Sequence, residues 1–212
     1  YGMTETTGTI AMLPPDDHTL EGNQRMKSAG KAVPGAELKV VDEDGNDLPH
    51  GEVGELICKS PSNMIGYWNL PDATTSALKD GWMHTGDAAY MDEDGYVYIQ
   101  DRIKDMIISG GENVYPAQVE SAIYGHPSVG EVAVVGVPDD TWGEAVKACV
   151  VPKPGCAIDP ADIITFTRER LAGFKVPKSV DVIDVMPRNA SGKILRRELR
   201  APYWEGRERQ VN

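Results

Sequence analysis

Met106-Ile107-Ile108-Ser109-Gly110-Gly111-Glu112-Asn113-Val114-Tyr115-Pro116 is the stretch on which the fold reading turns. Three apolar residues make a short strand, and two adjacent glycines break it. Pro116 then opens a helix, because proline at the first helical position gives up an N–H that would have no partner there. The spacing predicts that this helix runs to about Tyr124 and stops at Gly125. Downstream, 131–137 and 145–151 are valine-rich and read as strands. Asp159-Pro160 starts a helix through about Leu171, ended by Gly173. Residues 180–185 read as a strand and 193–199 as a final short helix. Strands and helices thus mix over ~110 residues, enough for a small independent α+β domain.

Upstream the pattern changes. Asp42-Glu43-Asp44-Gly45 follows one β-rich run, and Asp92-Glu93-Asp94-Gly95 precedes the alternating Tyr96-Val97-Tyr98-Ile99-Gln100. Acidic turns ending in glycine mark hairpins. A calcium loop needs its glycine at position six and its closing glutamate at twelve, a spacing these turns lack. One helix is expected near 72–79, after Pro71 and before Gly81. The break between the two patterns falls near Gln100-Asp101-Arg102, which divides the chain into a β-rich 1–100 and an α+β 101–212. The hairpins of the first part have little of their own to pack on, so 1–100 reads as the end of something larger.

Of the 212 residues, 41% are apolar and 25% charged, a globular composition that excludes a fully disordered chain. No apolar run approaches the ~20 residues of a membrane helix. Three cysteines, Cys58, Cys149 and Cys156, are too few for a disulfide scaffold, and the default setting is the reducing cytoplasm. The net charge of −12 lies entirely in residues 1–101, with 6 basic and 18 acidic side chains against 15 of each in 102–212. That acidity argues against a general nucleic-acid binder. Residues 168–212 carry 11 basic and 6 acidic side chains, which fits either a local anion site or a solvated helix face.

Four clusters carry candidate chemistry. Tyr1-Gly2-Met3-Thr4-Glu5-Thr6-Thr7-Gly8 combines an aromatic face, hydroxyls and one carboxylate. It suits a base, a phosphate and a magnesium ion, or simply a surface turn. Asp87, in Gly81-Trp82-Met83-His84-Thr85-Gly86-Asp87, either accepts from two sugar hydroxyls or caps a turn. Ser109-Gly110-Gly111 either admits a ligand close to the backbone or ends a strand. Pro187-Arg188-Asn189-Ala190-Ser191-Gly192-Lys193 lacks the first glycine of a Walker loop and continues into Ile194, yet it presents a lysine at the end of a small-residue loop. That lysine either reaches an anion or is solvated.

Taken in order, Tyr-Gly-Met-Thr-Glu, Gly54-Glu55-Leu56, Gly66-Tyr67-Trp68, Thr85-Gly86-Asp87, Asp101-Arg102, the Ser109–Pro116 stretch and Gly192-Lys193 resemble the acyl-adenylate-forming enzymes. The Ser-Gly-Gly-Glu-Asn-Val-Tyr-Pro run is similar to the fatty-acyl and aryl CoA ligase branch. The resemblance spans the whole chain. It implies that 1–100 ends a large adenylation domain and that 101–212 is a mobile C-terminal domain with its hinge at Asp101. The N-terminal phosphate loop and acyl pocket would lie before Tyr1, so the chain is expected to be an inactive fragment alone and to need the missing N-terminal domain.

The implied reaction activates a small-molecule carboxylic acid with MgATP to acyl-AMP, then transfers the acyl group to CoA. By the same resemblance Lys193 is catalytic, Thr4 faces a phosphate, and Glu5 holds Mg2+. Tyr1 stacks on adenine, Gly2 and Met3 complete the nucleotide side, and Asp87 with Arg102 grips the ribose. Gly111 is the pantetheine-tunnel glycine, and Gly110 beside it binds CoA. Trp142, Phe174, Lys175 and Lys178 meet CoA, and Arg196 and Arg197 add positive charge near its phosphates. Two positions depart from many relatives: Val176 stands where some carry a CoA-binding arginine, and His84 where many carry arginine. The alternatives are a peptide-synthetase adenylation domain and a non-catalytic nucleotide- or CoA-binding module.

Overall fold

The computed structural model describes residues 1–206. The last six residues of the predicted second domain, 207–212, lie outside the described residues. The chain divides into two compact units, one ending at Ile103 and the other starting at Lys104.

The first unit is built from antiparallel pairs. β1 (Gly2–Met3) pairs with β2 (Gly8–Thr9), and β3 (Ala11–Met12) with β4 (Lys31–Ala32). The main sheet has the order β5 (Glu37–Val41), β6 (Gly54–Lys59), then a long β8 (Trp82–Met91), which pairs in turn with β7 (Leu78–Lys79) and β9 (Val97–Arg102). A single α-helix, α1 (Pro71–Ala77), opens at the expected proline. Both acidic turns close as hairpin chemistry predicts. Asp42 Oδ1 accepts from the N–H groups of Asp44 and Asn46, and Asp92 Oδ1 from those of Asp94 and Tyr96. Gly45 and Gly95 sit at φ of 85° and 83°, where a side chain would be strained. Val40, Leu56, Ala89 and Val97 form one small core, and Ile10, Cys58 and Met83 another.

The second unit has two faces. Its sheet runs β11 (Glu112–Val114), β10 (Ile107–Ser109), β13 (Gly143–Pro152), β12 (Val129–Asp139), with β14 (Ser179–Val182) parallel to β13. α2 (Pro116–Tyr124) and α3 (Pro160–Arg168) cover one face over Val132, Val134, Val146, Ala148 and Val150. Side chains alternate along a strand, so the intervening Val135, Val137 and Ala145 point the other way, where Leu199 of α4 (Arg196–Trp204) packs on them. Burial on both sides explains why these strands read as nearly unbroken valine runs.

The final helix differs from the sequence expectation of 193–199. Residues before it are zipped into a small loop instead: Arg188 bridges to Ile194, and the Leu195 N–H donates to the Pro187 carbonyl at 2.9 Å. The helix starts only at Arg196. From there, contacts repeat at helical spacing along one side. Arg196 forks onto Glu120 at 2.8 Å to both oxygens, and Arg200 lies 3.5 Å from Asp105. The Tyr203 hydroxyl donates to Asp181, which also pairs with Lys147 at 2.6 Å, and Trp204 Nε1 donates to the Gly136 carbonyl at 2.9 Å. Among the described residues, no helix is long and apolar enough to cross a membrane.

Candidate active site

In the first unit, Tyr1-Gly2-Met3-Thr4-Glu5 lies on a narrow hairpin. Thr6 folds it: its buried hydroxyl sits 3.0 Å from the Met3 carbonyl and 2.8 Å from that of Gly8, and it accepts from the Met3 N–H at 3.2 Å. A Cβ at Gly2 would stand 2.0 Å from the Gly8 oxygen, so only glycine lets the two strands close. Thr4 is left exposed at the turn. The Glu5 backbone carbonyl accepts from the Met64 N–H at 2.7 Å, and its Oε1 accepts from the Tyr67 hydroxyl at 2.9 Å. Burial, together with the Glu5 carboxylate, pushes the Tyr67 phenol above its ordinary range. Tyr67 is therefore a supporting residue that Gly66-Tyr67-Trp68 signalled as a motif without revealing its contact.

Strand register places the acid and the arginine. In the β8–β9 ladder Asp87 stands directly opposite Arg102, one position from an irregularity between Ala88 and Ala89. Arg102 Nε lies 3.0 Å from Asp87 Oδ1, and its Nη1 donates to the Thr85 carbonyl at 3.1 Å. The Tyr1 hydroxyl donates to the other carboxylate oxygen. Burial and that carboxylate hold the Tyr1 phenol far above its usual range. Asp87 is only 8% exposed, yet an ionised carboxylate has about four acceptor sites and retains capacity for ligand hydroxyls.

A further residue steadies this strand. Glu55 Oε1 accepts from the Gly86 N–H at 3.0 Å, and Oε2 lies 2.7 Å from His84 Nδ1. His84 thus has a structural partner.

The second unit carries two separate features. In the β10–β11 turn, Gly110 and Gly111 adopt φ of 62° and 84°. A Cβ at Gly110 would come within 2.6 Å of the Trp142 ring, and its N–H donates to the Trp142 carbonyl at 2.9 Å. At Gly111 nothing lies within 4 Å of such a Cβ, so backbone conformation, not packing, calls for glycine there. Buried Glu144 accepts from the Ile108 N–H at 3.0 Å and holds the strand that leads into the turn. The Lys178 ammonium lies 5.7 Å from the Trp142 ring centre. Lys175 sits over Phe174 and donates to Gln118 Oε1 at 2.8 Å. Arg196 is committed to Glu120, whereas Arg197 is exposed.

Lys193 is the second feature. It sits in a loop, not a helix, and is exposed. Among the described residues, no hydrogen bond or ion pair engages its ammonium. The structure therefore joins Tyr1, Asp87 and Arg102 in one constellation, Glu5 with Tyr67 in another, and Gly110, Trp142 and Lys178 in a third.

In the first unit Tyr1 donates to a carboxylate–arginine pair, and the second unit carries an exposed lysine and a glycine turn. The chain belongs to the AMP-binding enzymes: the AMP-binding enzyme model matches residues 1–68, and that of the AMP-binding enzyme C-terminal domain matches residues 118–193. It is similar to the fatty acid–[acyl-carrier-protein] ligase of Streptomyces coeruleorubidus, 53% identical over all of this chain and 41% of that protein. It is also similar to the long-chain-fatty-acid–CoA ligase of Salmonella typhimurium, 50% identical over 94% of this chain and 35% of that one. Among solved structures, o-succinylbenzoate CoA synthetase from Bacillus subtilis with its acyl-adenylate intermediate matches at a TM-score of 0.86 and 40% identity, over 94% of this chain and 40% of that chain. The same enzyme with ATP and a magnesium ion matches at 0.84. The chain spans about 40% of the length of these relatives, in their C-terminal part.

Proposed function

We propose that this chain is the C-terminal part of an AMP-forming acid–thiol ligase. The observation that carries the reading is the register pairing of Asp87 with Arg102 beneath the Tyr1 hydroxyl. An acceptor-only carboxylate fixed by a guanidinium is suited to a pair of ribose hydroxyls, and the adjoining Tyr1 ring offers a face to a base.

In the first half-reaction an oxygen of the substrate carboxylate attacks the α-phosphorus of ATP and pyrophosphate leaves. The Lys193 ammonium, a compact point charge with no partner among the described residues, neutralises charge that builds on the phosphoryl oxygens. In the second, a thiol sulfur attacks the acyl carbonyl and AMP leaves. Gly111 gives the thiol's pantetheine arm a path past the backbone, and Gly110, Trp142, Phe174, Lys175 and Lys178 meet the rest of CoA. Thr4 faces a phosphate. Gly2 and Met3 flank the nucleotide. Asp101 is the pivot between the half-reactions.

Glu5 fits a magnesium ion. Among the described residues there is no cluster of three metal-ligating side chains, and Mg2+ is commonly held by one or two carboxylates plus substrate phosphates and water. When bound, the ion would supply positive charge to the phosphates; Tyr67 keeps the Glu5 carboxylate in place for it.

The acceptor has a second reading. The relative at 53% identity is named for an acyl-carrier protein, so a carrier-bound pantetheine thiol is a specific rival to free CoA. The 212 residues alone are not expected to turn over, and the reaction is placed in the cytoplasm. The test is the full-length protein with a panel of fatty and aromatic acids, ATP, and either CoA or a pantetheinylated carrier protein. AMP and thioester should appear in equal amounts with one acceptor. Absence of acid-dependent ATP–pyrophosphate exchange across the panel would refute the ligase reading.

A further inference from the structure

The loop that carries Lys193 is organised by one side chain. Asn189 Oδ1 accepts from the Ser191 N–H at 3.1 Å, the Ser191 hydroxyl at 2.8 Å and the Lys193 N–H at 2.9 Å. The Asn189 backbone N–H in turn donates to the Lys193 carbonyl at 2.9 Å, and its carbonyl accepts from the Gly192 N–H at 2.9 Å. Both polar backbone groups of Lys193 are thus held by a single residue four positions earlier. Gly192, at φ of 84°, supplies the left-handed step that closes the ring of bonds. Arg188 clasps it from outside: Nη1 donates to the Gly192 carbonyl at 2.7 Å, while Nη2 pairs with Glu131 on β12.

A lysine side chain has four flexible carbons and no orientation of its own. Where its ammonium can reach is set by the direction in which its backbone launches it. Here that residue is exposed and outside any helix or strand. The Asn189 side chain adds three bonds to the short backbone pairing of Arg188 with Ile194 that closes the loop. We propose that Asn189 is a positioning residue for the adenylation half-reaction, acting through Lys193, with the Arg188–Glu131 pair tying the loop to the sheet. This inference rests on the role given to Lys193 above. A catalytic group misplaced by about 1 Å can lose ~100-fold in rate, so a loop of this kind controls activity without touching substrate.

The test compares Asn189→Ala, Asn189→Asp and Lys193→Ala in the full-length protein. Asn189→Ala removes all three accepted bonds, whereas aspartate retains an acceptor oxygen at the same place. Asn189→Ala should lower ATP–pyrophosphate exchange by about 10- to 100-fold, with thioester formation from supplied acyl-adenylate within about twofold of wild type. Asn189→Asp should restore most of the exchange. Amide hydrogen exchange at residues 191–193 should quicken in the alanine variant and stay slow in the aspartate one, a readout independent of catalysis. Unchanged pyrophosphate exchange in Asn189→Ala, or equal loss in both half-reactions, overturns the inference while leaving Lys193→Ala to report on Lys193 itself. If Lys193→Ala exchanges at the wild-type rate, the reading of Lys193 fails and takes this inference with it.

Discussion

The two units hold their polar groups by different means. In the first, Asp87 and Arg102 face each other across a strand pair, and the register of β8 and β9 fixes their 3.0 Å contact. In the second, Lys193 stands on an exposed loop held by side-chain hydrogen bonds. The contrast follows the chemistry proposed for each. A nucleotide must be gripped throughout both half-reactions, so its ligands belong on rigid ladders. A cation wanted in only one half-reaction belongs on a part that can be presented and withdrawn.

The largest expected effect tests the loop side. Lys193→Ala should cut pyrophosphate exchange by about 100- to 1,000-fold, the usual cost of losing a preplaced charge-stabilising group. Thioester formation from supplied adenylate should be much less affected. Equal losses would erase the distinction between the units. On the strand side, Asp87→Ala should weaken both half-reactions together, by about 10- to 100-fold, because the charged hydrogen bonds removed are worth ~1.5–3 kcal/mol. A loss confined to one half-reaction would contradict a shared grip. Gly111→Leu should do the reverse of Lys193→Ala, slowing thioester formation by about tenfold or more with exchange retained. Circular dichroism would check that the side chain forced to φ of 84° has not unfolded the turn.

The smallest effect concerns the attachment of α4. Burial raises the Asp181 pKa, but hydrogen bonds from Lys147 and Tyr203 outweigh it and hold the carboxyl below its ordinary value. A depressed carboxylate contributes stability that is fully present above its unfolded-state pKa, ~3.9, and lost as pH falls through the lower folded value. Acid should therefore loosen α4 below about pH 4, and Asp181→Asn should flatten that part of the stability–pH curve. Tyr203→Phe should cost ~1 kcal/mol in urea denaturation at neutral pH.

Much of the second unit was legible because its signals are local. Pro116 and Gly125 bound α2 at the expected residues, and the valine runs gave β12 and β13 to within two residues. The last helix was misplaced because Asn189 bonds back onto Lys193, a competition between side chain and backbone that hydrophobic periodicity does not register. Motif order singled out Asp87, Arg102 and Lys193. It did not show that Tyr1 donates to Asp87 or that Glu55 secures Gly86, since both contacts depend on strands far apart in sequence. Glu55 and Tyr67 were visible only as letters in recurring triplets; their partners needed the sheet.

The placement of α4 also has a consequence for biosynthesis. The helix that shields Val135, Val137 and Ala145 is made after every strand it covers. Until the ribosome has delivered residues 196–204, one side of a valine-rich sheet is bare, a state open to aggregation with other nascent chains. A stall or nonsense codon just after Lys193 would release a product that keeps the lysine yet lacks that shield, and chaperones or proteases would meet it first.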